Sequence, residues 1–385
     1  MGTHRTHISE PGLFGSPGRM FTAAIAALIL GTSVAAAQSD PLVEEAKKIV
    51  AEASAPLANA PDVPKVDVGQ KLAGKSIFYI SAGLSFSFSQ EVLSGVKGGA
   101  EVLGMSVTTA DAAGDSSKAS SYIDRAIGQG AAAIVLQGID PYTVKASISD
   151  AKAAGIPVVS TAALPAGPVP DDIAAAGLGG AVNFSVVEVG KKLAAFIAAN
   201  AERDAHIGLI SSSTFRSDAL FVQEFTAELA RLCPDCQVTP KDSPLMQWQT
   251  TLPALVRTMV TVDPKLSYIV PSVDAMVPSV KPAVIAVGAG DRIKIVSNNA
   301  SLPDMQAIAT KTDQEVANIG ASNERMGWAT VDQIARLLSG QQAAVAIQPM
   351  RLFTVDNIGD VDLTKPASEW YGFDFRSFYR QLWGA

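Results

Sequence analysis

From about Gly74 onward the chain alternates short apolar runs with amphipathic stretches, and that order leaves few folds open. "KSIFYISAG" predicts a strand. "SQEVLSGVKGGAEVLG" predicts a helix that ends at Gly104, and "MSVTTADA" predicts the next strand. "SSKASSYIDRAIGQG", "AAIVLQG", "PYTVKASISDAKAAG" and "IPVVSTAA" continue the alternation. It restarts at "SVVEVGKKLAAFIAANA" and runs through "AHIGLISS", "SDALFVQEFTAELARL", "QVTPKD", "TLPALVRTMVTVDP", "LSYIVPS", "VPSVKPAVIAVG", "IKIVSNN", "QEVANIGAS" and "ERMGWATVDQIARLLSG" to a last strand, "IQPMRLFTVDN". Continuous Val- and Ile-rich strands are those of a parallel sheet covered on both faces. Repeated strand–helix units predict an α/β fold. The alternation spans about 280 residues, more than one ordinary core accommodates, so two doubly wound parallel-sheet lobes are expected.

Before this body, "DPLVEEAKKIVAEASAP" places Leu42, Ala46, Ile49 and Val50 on one helical face, and the proline-containing "LANAPDVPKVDVGQKL" follows as a linker. Further upstream, Arg19 precedes the uncharged apolar stretch Met20 to Val34, and small residues follow at Ala35 and Ala37. That order predicts a secretory signal peptide over residues 1–37, cleaved after Ala37, and the run is short for a membrane span. Hydrophobic residues make up 48% and charged residues 17%, which suits a chain with sizeable cores. The net charge is −7 and no basic stripe is present, so nucleic acid is excluded as a partner.

Catalytic chemistry has few candidates. His4, His7 and His206 are the only histidines, and the first two fall in the signal peptide. No H-E-x-x-H, P-loop or G-x-S-x-G is present. "VGAGDR" holds a G-x-G, but it stands between a helix and a strand, the wrong order for a nucleotide loop. No metal, cofactor or catalytic residue is expected. The two cysteines, Cys233 and Cys236, form a C-x-x-C, which suits either redox chemistry or a short bridge. They sit at the far end of a helix, where nothing depresses a thiol pKa, so a disulfide pinning a helix-to-strand turn is expected, with free thiols as the alternative.

In open α/β sheets, ligands sit beyond the carboxyl ends of the strands. In the first half those ends carry Phe86 and Phe88, then Asp111 and Asp115, Gln137 and Asp140, and Thr161 and Ala162. In the second half they carry Phe215 and Arg216, then Trp248, Ser272 and Asp274, and Asn298 and Asn299. Polar groups among a few aromatics suit a small-molecule pocket. Asp140, followed by Pro141, also fits a helix cap.

The order and spacing of "GVKGGAEVLGM", "AIGQGAAAIVLQGID", "AKAAGIPVVST", "VGKKLAAFIA", "PKLSYIVPSVDAM" and "SNNASLPDMQAI" resemble the type I periplasmic substrate-binding proteins. Among these the likeness is to the ribose-binding-protein-like group that serves ABC transporters. The resemblance covers most of the chain from Gly74 to Asn357. It implies a cleft between two lobes, with crossings near Phe184, Ala321 and Met350. An N-terminal lobe would take residues 74–183 and 322–349. A C-terminal lobe and tail would take 184–321 and 350–385, after an N-terminal helix and linker over 38–73.

The resemblance also implies a non-enzymatic, periplasmic, monomeric protein that captures a small molecule and delivers it to an inner-membrane ABC permease. A sensory protein of the same fold and a carboxylate-using cleft enzyme are the alternatives. Phe86 and Phe88 fall in the loop whose aromatics stack on the ligand. Trp248 and Asp274 match ligand contacts of the other lobe, with Asp111 and Gln137 as further polar contacts. Asn299 stands where an aspartate grips sugar hydroxyls, and Arg216 is placed to meet a ligand carboxylate. The pattern departs at Ala162, Ala163, Ala219 and Ala321, where charged or amide side chains are usual, which tilts the expected ligand from a sugar toward a less polar aromatic or alicyclic compound.

Overall fold

The computed structural model describes residues 40–57 and 63–385. The expected signal peptide and its cleavage point lie outside the described residues, as does the middle of the linker.

The first sheet is wholly parallel. It comprises β1 (Ser76–Ser81), β2 (Ser106–Asp111), β3 (Ala133–Gln137), β4 (Val158–Thr161), β5 (Leu178–Phe184) and β11 (Ala346–Gln348), in the order β11-β5-β4-β3-β1-β2. The second sheet holds β6 (His206–Ser211), β7 (Gln237–Asp242), β8 (Leu266–Pro271), β9 (Lys294–Asn298), β10 (Glu315–Ala321) and β12 (Met350–Thr354), in the order β12-β10-β9-β8-β6-β7. Its strands are parallel except β12, which runs antiparallel to β10. The central strands of both sheets are buried along nearly their whole length, because helices cover both faces.

The last strand expected from sequence is two strands. Pro349 separates β11 from β12, and the two halves join different sheets. Two other connections leave one sheet and begin a helix in the same way. After β5, Ser185 caps α6 (Val186–Asn200), its Oγ accepting from the Glu188 amide at 3.3 Å. After β10, Ser322 caps α11 (Asn323–Leu338), its Oγ accepting from the Arg325 amide at 3.4 Å. Each serine satisfies an amide that the helix start leaves unpaired. α6 packs on the second lobe, and α11 packs in the first against α2 (Ser87–Val102).

Chain order does not decide where the termini dock. Helix α1 (Pro41–Ser54), capped by Asp40, lies on α6 of the second lobe. The closing helix α12 (Phe375–Trp383), expected with the C-terminal lobe, instead reaches α11 of the first. There Trp383 stacks on Trp328 with 5.5 Å between ring centroids. The Trp383 indole also donates to Asp332 at 3.0 Å. Helix α7 (Asp218–Leu232) ends at Cys233, which is joined to Cys236 across a turn with Cα atoms 5.3 Å apart. Among the described residues no helix is long and apolar enough to cross a membrane.

Candidate functional site

The carboxyl ends of the two sheets face each other and enclose a cavity of about 70 Å³. Six aromatic side chains line it: Phe86, Phe88 and Phe184 from the first lobe and its edge, and Phe215, Phe221 and Trp248 from the second. The loop after β1 explains Phe86. Gly83 carries no Cβ, and one built there would stand 2.5 Å from the Phe86 ring, so glycine is what lets the ring lie flat on the loop. Phe86 then crosses to the second lobe and packs on Trp248 with centroids 5.4 Å apart. Trp248 is buried, and its indole donates to the Ser243 carbonyl at 2.8 Å. Phe88 sits two residues on, in the first turn of α2, where it both lines the cavity and joins the core beneath the helix.

Phe86 and Trp248 also border an outer groove of about 630 Å³, so the ring pair divides the inner cavity from the cleft mouth.

Gln137 and Asn299 line the cavity too. Gln137 accepts from the Ser81 hydroxyl at 2.5 Å, and Ser81 in turn accepts from the Gly83 amide. Asn299 has φ of 110° and Ala300 has φ of 51°, while Ala162, across the cavity, has φ of 55°. Such values cost a non-glycine residue of order 1–3 kcal/mol and gather where surrounding contacts over-determine the backbone. Here an Asn299 side chain held by Asp274 and Asn298 supplies those contacts.

Three residues expected in the site stand outside it. Asp111 ends β2 and accepts from the Ala113 amide at 2.9 Å, beside the outer groove. Asp274 lies behind the wall, where it accepts from the Ser301 amide at 2.9 Å and from Asn299 at 3.5 Å, so it shapes the strained loop. Arg216 does not turn inward. Its Nε donates to Asp140 of the first lobe at 3.0 Å, and its guanidinium lies 4.2 Å from the centroid of the Tyr142 ring. Asp140 also accepts from the Tyr142 amide, so it serves as turn residue and interlobe partner together. Arg216 is therefore a clasp at the rim, and no cation faces the cavity among the described residues.

Sequence reasoning missed Asp218. It occupies the first turn of α7, where an acid reads as a dipole partner. The resemblance puts Ala219 in the place of the usual charged side chain, but Ala219 is exposed and its neighbour Asp218 is the residue on the face that meets the cleft. Asp218 is 6% exposed and lines the cavity. Its Oδ2 accepts from the Ser212 amide at 2.7 Å and the Ser272 hydroxyl at 2.6 Å. Burial nonetheless pushes its carboxyl up to about 6.

Glu91 of α2 is a partly buried acid on the hinge side. It accepts from the Asn323 side chain at 2.7 Å and, across the lobes, from the Leu302 amide at 3.3 Å. Burial raises it from 4.5 to about 7, helped by the nearby Asp274 and Glu324 charges, although the bonds from Asn323 and Leu302 oppose the shift. Burial likewise raises Asp274 to about 6. A raised folded pKa means that the folded state holds a proton that the unfolded state has released. The contribution of Glu91 to stability is thus complete below about pH 4.5 and is lost as pH rises through about 7. The melting temperature is expected to fall between pH 5 and 7.5, and Glu91→Gln to flatten the upper part of that fall. A melting temperature that rises over this window would contradict the assignment.

The family model described as "Periplasmic binding protein domain" matches residues 77–342. Among solved structures, a 5-methylthioribose transporter solute-binding protein from Thermotoga lettingae, in complex with 5-methylthioribose, is similar with a TM-score of 0.67 at 17% identity. The match covers 84% of this chain and 100% of that one. An ABC transporter solute-binding protein from Agrobacterium vitis with bound allitol gives 0.65 at 18% identity, over 75% and 98% of the two chains. An ABC sugar transporter subunit from Rhodobacter sphaeroides gives 0.63 at 18%, over 74% and 100%. A search of curated proteins finds no match.

Proposed function

The chain belongs to the periplasmic binding protein family, whose members bind substrates for ABC transporters and are not enzymes, and from that premise we propose that it captures a small, weakly polar molecule between its lobes and presents the closed form to an inner-membrane permease. The observation that carries this reading is the cavity wall. Six aromatic side chains line it with one carboxylate and the uncharged polar side chains of Ser89, Gln137, Ser217, Ser272, Asn298 and Asn299, and no guanidinium or ammonium group does so among the described residues. Flat rings bury large area at small entropic cost, whereas a site poor in paired charges has a weak hold on a polyhydroxylated sugar. The ligand is therefore an aromatic or alicyclic compound with one or two polar groups, not a sugar of the kind that the similar structures hold.

Capture needs no covalent step. A ligand that touches both Phe86 and Trp248 binds the closed arrangement better than the open one, and that difference closes the lobes. Asp140, Tyr142 and Arg216 would then help to hold the rim shut, though the half-exposed Arg216 makes this a modest contribution. Asn299 and Gln137 orient the ligand by hydrogen bonds. The protein acts as an exported monomer in the periplasm, where the Cys233–Cys236 bridge is oxidised.

The test is twofold. The chain, isolated natively from the exporting cell and then unfolded, is expected to release one small molecule per chain, identified by mass spectrometry. Cells lacking the chain are then expected to lose high-affinity uptake of that molecule. Chemical conversion of the compound by the protein, or unchanged uptake with loss of a cellular response, would replace the transport role with an enzymatic or a sensory one.

A further inference from the structure

Resting on the proposed capture of a small molecule in this cleft, we infer that the ligand carries an ammonium group, seated against Asp218 and Asn298 within the aromatic wall. Two observations lead there independently. The first is the hydrogen-bond inventory of the second lobe's wall. Both donors to the Asp218 carboxylate converge on Oδ2, and no protein group donates to Oδ1 among the described residues. Asn298 stands beside it, joined through Ser272, whose hydroxyl donates to Asp218 and whose carbonyl accepts from Asn298 Nδ2 at 3.4 Å. Asn298 Nδ2 also faces Asn299 Oδ1 at 3.2 Å, and these two acceptors fix the amide orientation. That leaves Asn298 Oδ1 buried with no partner. The wall thus offers unmatched acceptors, and a group with several donors and no acceptor is what matches them.

The second observation is the balance of charge. Asp218 is the one charged side chain lining the cavity among the described residues. The cation nearest to it in sequence, Arg216, is bound to Asp140 and Tyr142 at the rim. Asp242 is close enough to add a like charge rather than to relieve one. A buried carboxylate without a counter-ion is costly, and a ligand cation removes that cost. Aromatic faces favour a cation further, most of all in a desolvated site. A carboxylate ligand meets the opposite conditions and is excluded. Size adds a limit. The cavity is less than half of the roughly 150 Å³ that holds a benzene ring. The ligand is therefore a compact amine, and the ring it carries reaches past Phe86 toward the outer groove.

The experiment compares isobutylamine, cyclopentylamine and cyclohexylamine with the isosteric alcohols and with cyclopentanecarboxylate. Thermal unfolding of the mature chain is followed at pH 7.5, and titration calorimetry is run on any compound that raises the melting temperature. At least one amine is expected to stabilise saturably and to bind tenfold or more tightly than its alcohol, and the carboxylate is expected to give no shift. Asp218→Asn is expected to lose tenfold or more of the amine affinity. Because the amine-to-alcohol ratio is read on the unaltered chain, the outcome does not depend on the variant folding. Equal affinity for amine and alcohol, undiminished amine binding by a folded Asp218→Asn, or no stabilisation by any amine overturns the inference. Stabilisation by alcohols or sugars alone overturns it too, yet leaves the binding-protein reading standing. That reading falls only if the natively isolated chain carries no small molecule and binds none.

Discussion

Gly327→Val is expected to destabilise the first lobe by about 3 kcal/mol, at the upper end of overpacking penalties. Helices α2 and α11 cross at backbone contact. A Cβ at Gly327 would lie 2.3 Å from the Val92 carbonyl oxygen and 2.4 Å from the Val96 nitrogen. On the facing helix, a Cβ at Gly95 would lie 2.0 Å from the Glu324 oxygen. Neither neighbour is a flexible side chain, so relief requires the helices to separate. Separation would strip Val92, Val96, Met326 and Val331 of their packing. It would also shift Glu91, Asn323 and Glu324 at the hinge, so ligand affinity should fall along with stability. Gly128→Ala is the control. It closes α3 (Ser116–Gly128), a Cβ there meets nothing within 4 Å, and the change should stabilise by about 0.5–1 kcal/mol through helix propensity. Urea unfolding of the two variants should therefore move in opposite directions.

Arg336→Met is expected to cost about 3–5 kcal/mol, because it strands a buried carboxylate. Arg336 and Asp332 lie one turn apart in α11, both nearly inaccessible, and Arg336 Nε donates to Asp332 at 2.8 Å. Arg336 also donates to the Pro64 carbonyl at 2.7 Å, which ties the segment before β1 to this helix. Without the guanidinium, Asp332 keeps only the Trp383 indole as a donor. Burial already pushes the Asp332 carboxyl up, so the loss should shrink as pH falls and the acid protonates. Replacing both residues, Asp332→Leu with Arg336→Met, should recover most of the stability. If the double variant is no more stable than the single one, the pair is not what the lobe depends on.

The layered α/β architecture was legible because strand and helix periodicities are local and both sheets are parallel and buried. Phe86, Phe88, Gln137, Trp248 and Asn299 were legible for a related reason. Each stands at or beyond the carboxyl end of a strand, and the fold brings those ends together. Direction within a loop was not. Arg216 and Asp218 lie two residues apart, and the turn between β6 and α7 decides which faces the cleft; Phe215 N bonding back to the Ser212 carbonyl sets that turn. Asp274 was placed on the correct strand end, but it bonds sideways to Asn299 and Ser301. The route of the tail was hidden for a different reason. Trp383 finds Trp328 across a long stretch of chain, and no period records which distant face an amphipathic helix will cover.

The most direct test of the account is ligand binding by Phe86→Ala beside the unaltered chain. Phe86 belongs to the first lobe but packs on the ring of Trp248 in the second, so it reports on closure around a ligand more than on either core. Both chains would be screened by thermal unfolding against sugars and polyols, and against small aromatic and alicyclic compounds. The expected result is a saturable rise in melting temperature with a member of the second group. In Phe86→Ala that affinity should fall at least tenfold, with the ligand-free melting temperature nearly unchanged. A sugar or polyol that stabilises both chains equally would contradict an apolar interlobe site divided by this ring pair.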